Sequence, residues 1–156
     1  MHELTADLVA FLSAGMSFIA AGRDAELRPR VSRAVGLRPG ADRRTFTVFV
    51  ADQAGAALLA VLAPDAPLAV TACEVATHRT VQLKGVVTAV RPARADERAA
   101  IETQAGGYTG SLAGIGLPLP VVRRLVTWPA TAVEVRLDAV FEQTPGPGAG
   151  RPMGAS

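Results

Sequence analysis

Strand-length runs of β-branched and apolar residues, separated by turn residues, constrain the fold of this chain most strongly. They occur at residues 16–21, 28–36, 45–50, 67–73, 77–90 and 131–141. In the last run, Val133, Val135 and Leu137 alternate with charged residues. Such alternation gives a strand one buried and one exposed face. The sequence therefore predicts about six sequential, mostly antiparallel strands.

The segments between these runs have the composition of short helices and turns. Helices are predicted at residues 4–15, 53–63, 95–105 and 119–127. Thr5 and Asp52 are placed to cap the first two, because a short oxygen-bearing side chain can accept a hydrogen bond from the first amides of a helix. The glycine-rich residues 106–111 are interpreted either as a mobile loop over a pocket or as a plain connector.

Together these elements predict a mainly β fold, a small antiparallel barrel with short helices at its ends. Residues 1–142 are long enough to form this barrel as a single domain with its own core. Residues 143–156 are rich in proline and glycine and are expected to form a C-terminal tail.

Composition excludes several classes of function. Of the 156 residues, 49% are hydrophobic, which excludes general disorder. The 16 basic and 14 acidic residues leave a net charge of only +2, too small for a typical nucleic-acid binder. No apolar run approaches the roughly 18 residues that span a bilayer, and the start of the chain lacks a signal-peptide pattern. We therefore expect neither a nucleic-acid nor a membrane partner.

Few residues of the chain could act as metal ligands or nucleophiles. Cys73 is the only cysteine, so an intrachain disulfide is impossible and a cytoplasmic location is expected. Cys73 itself is predicted to be a buried small hydrophobic residue. His2 and His78 are the only histidines, and no metal site is predicted. No nucleophile lies in a known catalytic motif, so catalytic residues stay unassigned.

Two polar strands contain the candidate binding residues. On the first, Arg28, Arg30 and Ser32 share one face and Arg33 lies on the other. Guanidinium groups bind phosphates in bidentate fashion, so this strand is either an anion site for a phosphorylated ligand or a solvated face.

On the second polar strand, His78, Thr80, Gln82 and Lys84 share a face. This face can donate and accept hydrogen bonds, which suits the polar edge of a ring such as an isoalloxazine; the alternative is an exposed strand edge. His78 is either a haem ligand or proton donor, or an ordinary polar residue.

The order of the elements resembles a known family. Residues 16–21, 28–31 and 46–50, a helix, and then residues 78–85 are arranged as in the pyridoxamine 5′-phosphate oxidase-like, FMN-binding split-barrel proteins. Residues 141–147 are similar to the ends of some bacterial members. The resemblance implies a six-stranded split barrel that forms a homodimer, with one FMN in each of two clefts between the subunits.

The resemblance also implies which residues contact the cofactor. The second and third strands, the loop after the third, and the strand after the helix would line it, while Trp128 would reach across from the partner subunit. Arg28 or Arg33 would supply the charge for its phosphate. The residues assigned in this way are Arg28, Arg30, Val31, Ser32, Arg33, Thr47, Val48, Phe49, Val50, Gln53, Thr80, Gln82 and Trp128.

Two departures from the family pattern bear on function. The family's phosphate loop usually carries serine or threonine with arginine or lysine, whereas residues 52–57 hold one anion, Asp52, and no cation. Backbone N–H groups at the following helix start are the phosphate donors that remain in this loop. The C-terminal substrate signature of true pyridoxamine phosphate oxidases is missing, so vitamin B6 oxidation is not expected.

The leading hypothesis is a homodimeric FMN-dependent oxidoreductase with a small-molecule redox substrate, for which NAD(P)H is a candidate electron donor. A flavin performs the hydride chemistry itself, which explains why no acid–base constellation is visible. An F420-dependent reductase and a haem-binding protein that uses His78 are alternatives within the fold. A non-catalytic dimeric module that has lost its cofactor is an alternative of another class.

Overall fold

The structure, a computed structural model, describes residues 2–153. Within them it contains seven strands: β1 Ser17–Arg23, β2 Pro29–Ala34, β3 Gly36–Pro39, β4 Thr45–Ala51, β5 Pro67–Cys73, β6 Thr80–Pro92 and β7 Ala130–Glu142. The helices are α1 Ala6–Ser13, α2 Ala56–Leu59, α3 Arg98–Gly114 and α4 Leu119–Val122, with a 3₁₀ turn at Ala95–Glu97 before α3. No helix in this part of the chain is long and apolar enough to cross a bilayer.

The strands form one antiparallel sheet in the order β2–β1–β5–β6–β7–β4–β3. Its edge strands, β2 and β3, are consecutive in the chain and are separated only by Val35. The N–H of Val35 donates to the carbonyl of Phe49 on β4 at 2.8 Å. The chain itself therefore joins the two edges and curls the sheet into a half-barrel, which confirms the mainly β, antiparallel prediction.

The strand count differs from the prediction. Six strands were expected, and the described residues form seven. The run at residues 28–36 does not end in a turn but bends at Val35 and continues as β3, which pairs with β4. Because both halves are extended, alternation along the sequence gives no sign of this bend.

The main core lies on the concave side of the sheet. Phe18, Phe46 and Leu83 are buried there, as the alternation along their strands predicts. α1 and α2 add Leu12 and Leu58, both fully buried.

The predicted helix caps are right in one case and wrong in the other. Thr5 caps α1, because its hydroxyl accepts the N–H of Leu8 at 3.3 Å. Asp52 does not cap α2, which is four residues long and follows Gly55 without a side-chain cap. The Asp52 carboxylate instead accepts a hydrogen bond from the Thr131 hydroxyl at 2.8 Å, tying the end of β4 to β7.

Residues 106–111, predicted to be a loop, lie inside α3. The helix continues through its glycines because Ile101 and Tyr108 are buried on one side of it. A Cβ atom on Gly15 would lie 2.6 Å from the backbone of Gly107. Gly107 and its neighbours therefore form a packing surface for the connection between α1 and β1 rather than a lid.

A buried carboxylate, Glu97, holds the start of α3 against the sheet. Glu97 accepts hydrogen bonds from Arg91 at 2.8 and 2.9 Å and from Arg38 at 2.7 Å. The hydrogen bonds from Arg91, supported by those from Arg94 and Arg38, outweigh burial and hold the pKa of Glu97 well below its ordinary value. The charged group thus links α3 to β3 and β6.

The convex side of the sheet is covered over only part of its area. α3 packs on β4 and β7 through a second buried cluster of Val35, Phe49, Ala51, Ile101, Ala130 and Ala132, and Trp128 packs against this cluster. Among the described residues, neither buried cluster includes the outward side chains of β2, β1, β5 and the first half of β6. This uncovered area contains much of the candidate site.

Candidate functional site

Two rows of outward side chains cross the uncovered area of the sheet. The register places Arg33, Ile19, Thr71, Gln82 and Phe141 side by side on neighbouring strands. The next row consists of Val31, Ala21, Ala69, Lys84 and Ala139. We call these two rows the open face. Val31, Arg33 and Lys84 are exposed and the others are half-buried, so the open face is a largely apolar surface with polar groups set into it.

The first row contains most of the hydrogen-bonding groups of the open face. The Gln82 amide nitrogen donates to the Thr71 hydroxyl at 3.2 Å, and its amide oxygen accepts no hydrogen bond from residues 2–153. At the end of the row, Arg33 donates to the Ser17 hydroxyl at 3.1 Å, and its guanidinium lies 5.0 Å from the ring centre of Tyr108. Arg33 forms no ion pair within the described chain, so its charge is available to an anion.

The second row leads into a cavity of about 370 Å³. Ala21, Ala69 and Lys84 line it together with Gly85, where the pairing of β6 with β7 shifts register. The Lys84 ammonium lies 4.7 Å from the ring centre of Phe141, so a cation and an aromatic ring lie beside an apolar recess.

The turn between β1 and β2 pairs the predicted phosphate-binding arginines with acids. The Asp24 carboxylate accepts from Arg28 Nε at 2.8 Å and from Arg30 Nη2 at 3.4 Å. Glu26 accepts from Arg28 Nη2 at 2.8 Å. Burial alone would raise the pKa of Asp24, but the backbone and side-chain hydrogen bonds from Arg28 and the charge of Arg30 outweigh it and lower that pKa. The positive charge of both arginines is thus partly offset within the chain.

Ser32 lies at the split of the barrel, beside the loop after β4. It is 8% exposed, and its hydroxyl donates to the carbonyl of Arg33 at 3.0 Å. A Cβ atom on Gly55 would overlap Val50 and would lie 3.4 Å from the Ser32 hydroxyl oxygen. The exposed Gln53 belongs to the same loop. The structure therefore brings β2 and the residue 52–55 loop together, as a shared anion site would require.

The remaining residues assigned by the resemblance lie elsewhere. Val48 and Val50 are fully buried in the barrel core, and Phe49 is buried on the other side of β4 beneath α3. Thr47 is half-buried on that same side of β4. Trp128 packs on the second buried cluster, with the Arg98 guanidinium 5.4 Å from its ring centre.

The turn between β5 and β6 contains the other residues that the sequence singled out. The Thr80 hydroxyl donates to the carbonyl of His78 at 2.8 Å, and the Thr80 N–H donates to the Thr144 hydroxyl at 3.0 Å. His78 is exposed and has φ of 60°. Cys73 is half-buried on the convex side of the sheet, not buried in the core as predicted. Its place follows from parity, because inward positions on β5 are Leu68, Val70 and Ala72.

Sequence reasoning missed the partners that complete the open face. Thr71 bonds Gln82 from the neighbouring strand, and Tyr108 supports Arg33 from α3. Strand alternation gives the parity of Thr71, but only the pairing register places it beside Gln82. Tyr108 was assigned to a loop, so its contact with β2 could not be anticipated.

Comparisons with known proteins show the fold. A structure from Lactobacillus delbrueckii, provisionally described as a pyridoxamine 5′-phosphate oxidase, is 14% identical and matches with a TM-score of 0.52 over 90% of this chain and 95% of its own. HupZ of Group A Streptococcus is 13% identical, with a TM-score of 0.55 over 94% of this chain and 99% of its own. An F420 reductase is 14% identical, with a TM-score of 0.51 over 84% and 93%.

No family model and no curated protein matches the sequence itself. The chain has the split-barrel fold of the pyridoxamine 5′-phosphate oxidase-like proteins, as the resemblance predicted.

Proposed function

We propose that the protein is a homodimeric FMN-binding oxidoreductase that holds the flavin against the open face. The observation that carries this proposal is the first row of that face, where Gln82, Thr71 and Arg33 are set into an apolar surface. A flavin has the same division, with an apolar ring system, a hydrogen-bonding pyrimidine edge and an anionic phosphate.

The residues present fit such a group. The free amide oxygen of Gln82 can accept a ring N–H, and the Thr71 hydroxyl offers a second polar contact. Small side chains at Ala21 and Ala69 leave room for a flat ring beside the cavity. Arg33 supplies an unpaired cation at the end of the row, where the resemblance places a phosphate or ring contact.

The same surface supports a homodimer. Its half-buried apolar side chains lie outside both buried clusters, and Val31 is 59% exposed. A second copy packed against the open face would remove these groups from water and would enclose the flavin between the subunits. A bound flavin supplies the hydride or electron chemistry, while this chain binds it, orients it and excludes water.

The F420 reductase and haem-binding alternatives predict different ligands. The F420 alternative is supported by the match to an F420 reductase. The haem alternative requires an imidazole to bind the iron. His78 is exposed in the turn between β5 and β6, beside Thr80. Equilibrium titration with FMN, F420 and haemin distinguishes the three.

The proposal is tested by measuring FMN affinity in matched variants. Gln82→Leu keeps the size of the side chain and removes its hydrogen bonds, so we expect FMN affinity to fall about tenfold. Thr88→Val makes the same kind of polar-to-apolar change on β6 but outside the two rows, and should leave affinity unchanged. Saturable binding of one FMN per chain supports the proposal; no binding, or equal loss in both variants, contradicts it.

A further inference from the structure

The turn that joins β1 to β2 divides the two oxygens of Asp24 between different tasks. Oδ1 accepts the backbone N–H groups of Glu26 and Arg28 at 3.1 and 2.9 Å, and so shapes the turn. Oδ2 accepts from the Arg28 and Arg30 guanidinium groups at 2.8 and 3.4 Å. The Asp24 side chain is only 11% exposed, so it is held firmly in this position.

The two arginines are held with different strength. Arg28 pairs with both Asp24 and Glu26, each at 2.8 Å. Arg30 has only the longer contact with Asp24, and its side chain is 41% exposed. Arg30 also lies on the same strand parity as Ser32, which faces the residue 52–55 loop. Of these two paired arginines, Arg30 is therefore the one that an incoming anion can recruit at the smaller cost.

We propose that Asp24 is a specificity-determining residue that weakens the preference of the site for a phosphate monoester. Its carboxylate competes with the ligand's phosphate for Arg30, because a guanidinium that is turned toward one anion is less available to another. This inference rests on the proposed function, and it assumes that the flavin ring lies on the open face beside Arg33 while the phosphate extends past the edge strand β2 to Arg30 on its other face. The inference accounts for two features of the site together. The residue 52–55 loop contains no cation, and Arg28 and Arg30 are already paired with acids.

The test compares FMN with riboflavin, which lacks the phosphate, in the wild type and in Asp24→Asn. Asparagine retains an oxygen in the place of Oδ1 for the two backbone N–H groups and removes the negative charge from the place of Oδ2. We expect the variant to bind FMN about tenfold more tightly and riboflavin unchanged, both followed by quenching of flavin fluorescence. Adding Arg30→Gln to Asp24→Asn should abolish the gain.

Glu26→Gln is the matched control. Glu26 is exposed and pairs with Arg28 alone, so its loss should change FMN affinity less than about twofold. Asp24→Ser, which also keeps a short acceptor for the turn, provides a second charge-free variant if the asparagine variant folds poorly.

The outcomes separate this inference from the proposed function. A ratio of FMN to riboflavin affinity that is the same in the wild type and in the Asp24 variants overturns the inference and leaves flavin binding intact. Failure of every variant and of the wild type to bind either flavin overturns both. A larger ratio only in the Asp24 variants supports the inference.

Discussion

Replacing Glu97 by glutamine should destabilise the fold strongly, although the change is isosteric. Glu97 is 2% exposed and accepts hydrogen bonds from Arg91, Arg38 and Arg94. Glutamine would keep the volume of the side chain but would leave these arginines without their shared anion. Breaking a buried ion pair by removing one partner costs about 3–5 kcal/mol. Because Arg38 and Arg94 are about half exposed and can regain water, we expect about 3 kcal/mol.

The matched control is Glu102→Gln on the same helix. Glu102 pairs with Arg98 at 2.8 Å, but both side chains are about half exposed. Such exposed pairs contribute about 0.5 kcal/mol or less. The free energy of unfolding is measured by urea titration, followed by the fluorescence of Trp128, the only tryptophan, which lies against α3 through the second buried cluster.

The pH dependence has a defined sign. The pKa of Glu97 is lowered in the folded state, so its stabilisation is present above its ordinary pKa of 4.5 and is lost as pH falls toward the folded value. The stability difference between the wild type and Glu97→Gln should therefore shrink below pH 4.5. Equal unfolding free energies for Glu97→Gln and Glu102→Gln at neutral pH would refute the reasoning.

Four further substitutions test the packing by the same urea titration. Gly15→Ala should destabilise the fold by about 2 kcal/mol or more, because the new Cβ atom would lie 2.6 Å from the Gly107 backbone. Gly110→Ala lies in open space within α3 and should stabilise the fold by about 0.5–1 kcal/mol. The opposite order of the two variants would contradict the packing of α3 on Gly15. Gln104→Ala should cost about 2–3 kcal/mol, because its amide bonds the backbone of α1 and β3, and a cost below about 0.5 kcal/mol would count against those bonds. Thr5→Ala should cost about 1 kcal/mol through loss of the α1 cap, and no change would show that the cap contributes nothing.

Strand alternation predicted much of the fold, because successive residues of a strand point to opposite faces of the sheet and their polarity shows which face is buried. The run at residues 67–73 coincides with β5. The bend at Val35 was missed because it joins two extended segments and needs the partner strand β4 to define it. Residues 106–111 were assigned to a loop because glycine lowers helix propensity, whereas packing of Tyr108 and the Gly15 contact decides the outcome.

The candidate site could be predicted only in part. The shared face of Thr80 and Gln82 follows from sequence parity, but the row that joins Gln82 to Arg33 depends on the pairing of β5, β1 and β2. The pairing of Arg28 with Asp24 depends on a turn whose geometry the sequence leaves open. Glu97 falls within the helix predicted at residues 95–105, but its burial could not be predicted, because its partners Arg38 and Arg91 are distant in the chain or belong to another element.

The most direct test of the central claim is a native mass spectrum of the purified protein after incubation with FMN. If the open face holds the cofactor between two copies, the main species contains two chains and two FMN molecules, and Gln82→Leu reduces its FMN occupancy. A spectrum of single chains without FMN at saturating cofactor would contradict both the dimer and the flavin site.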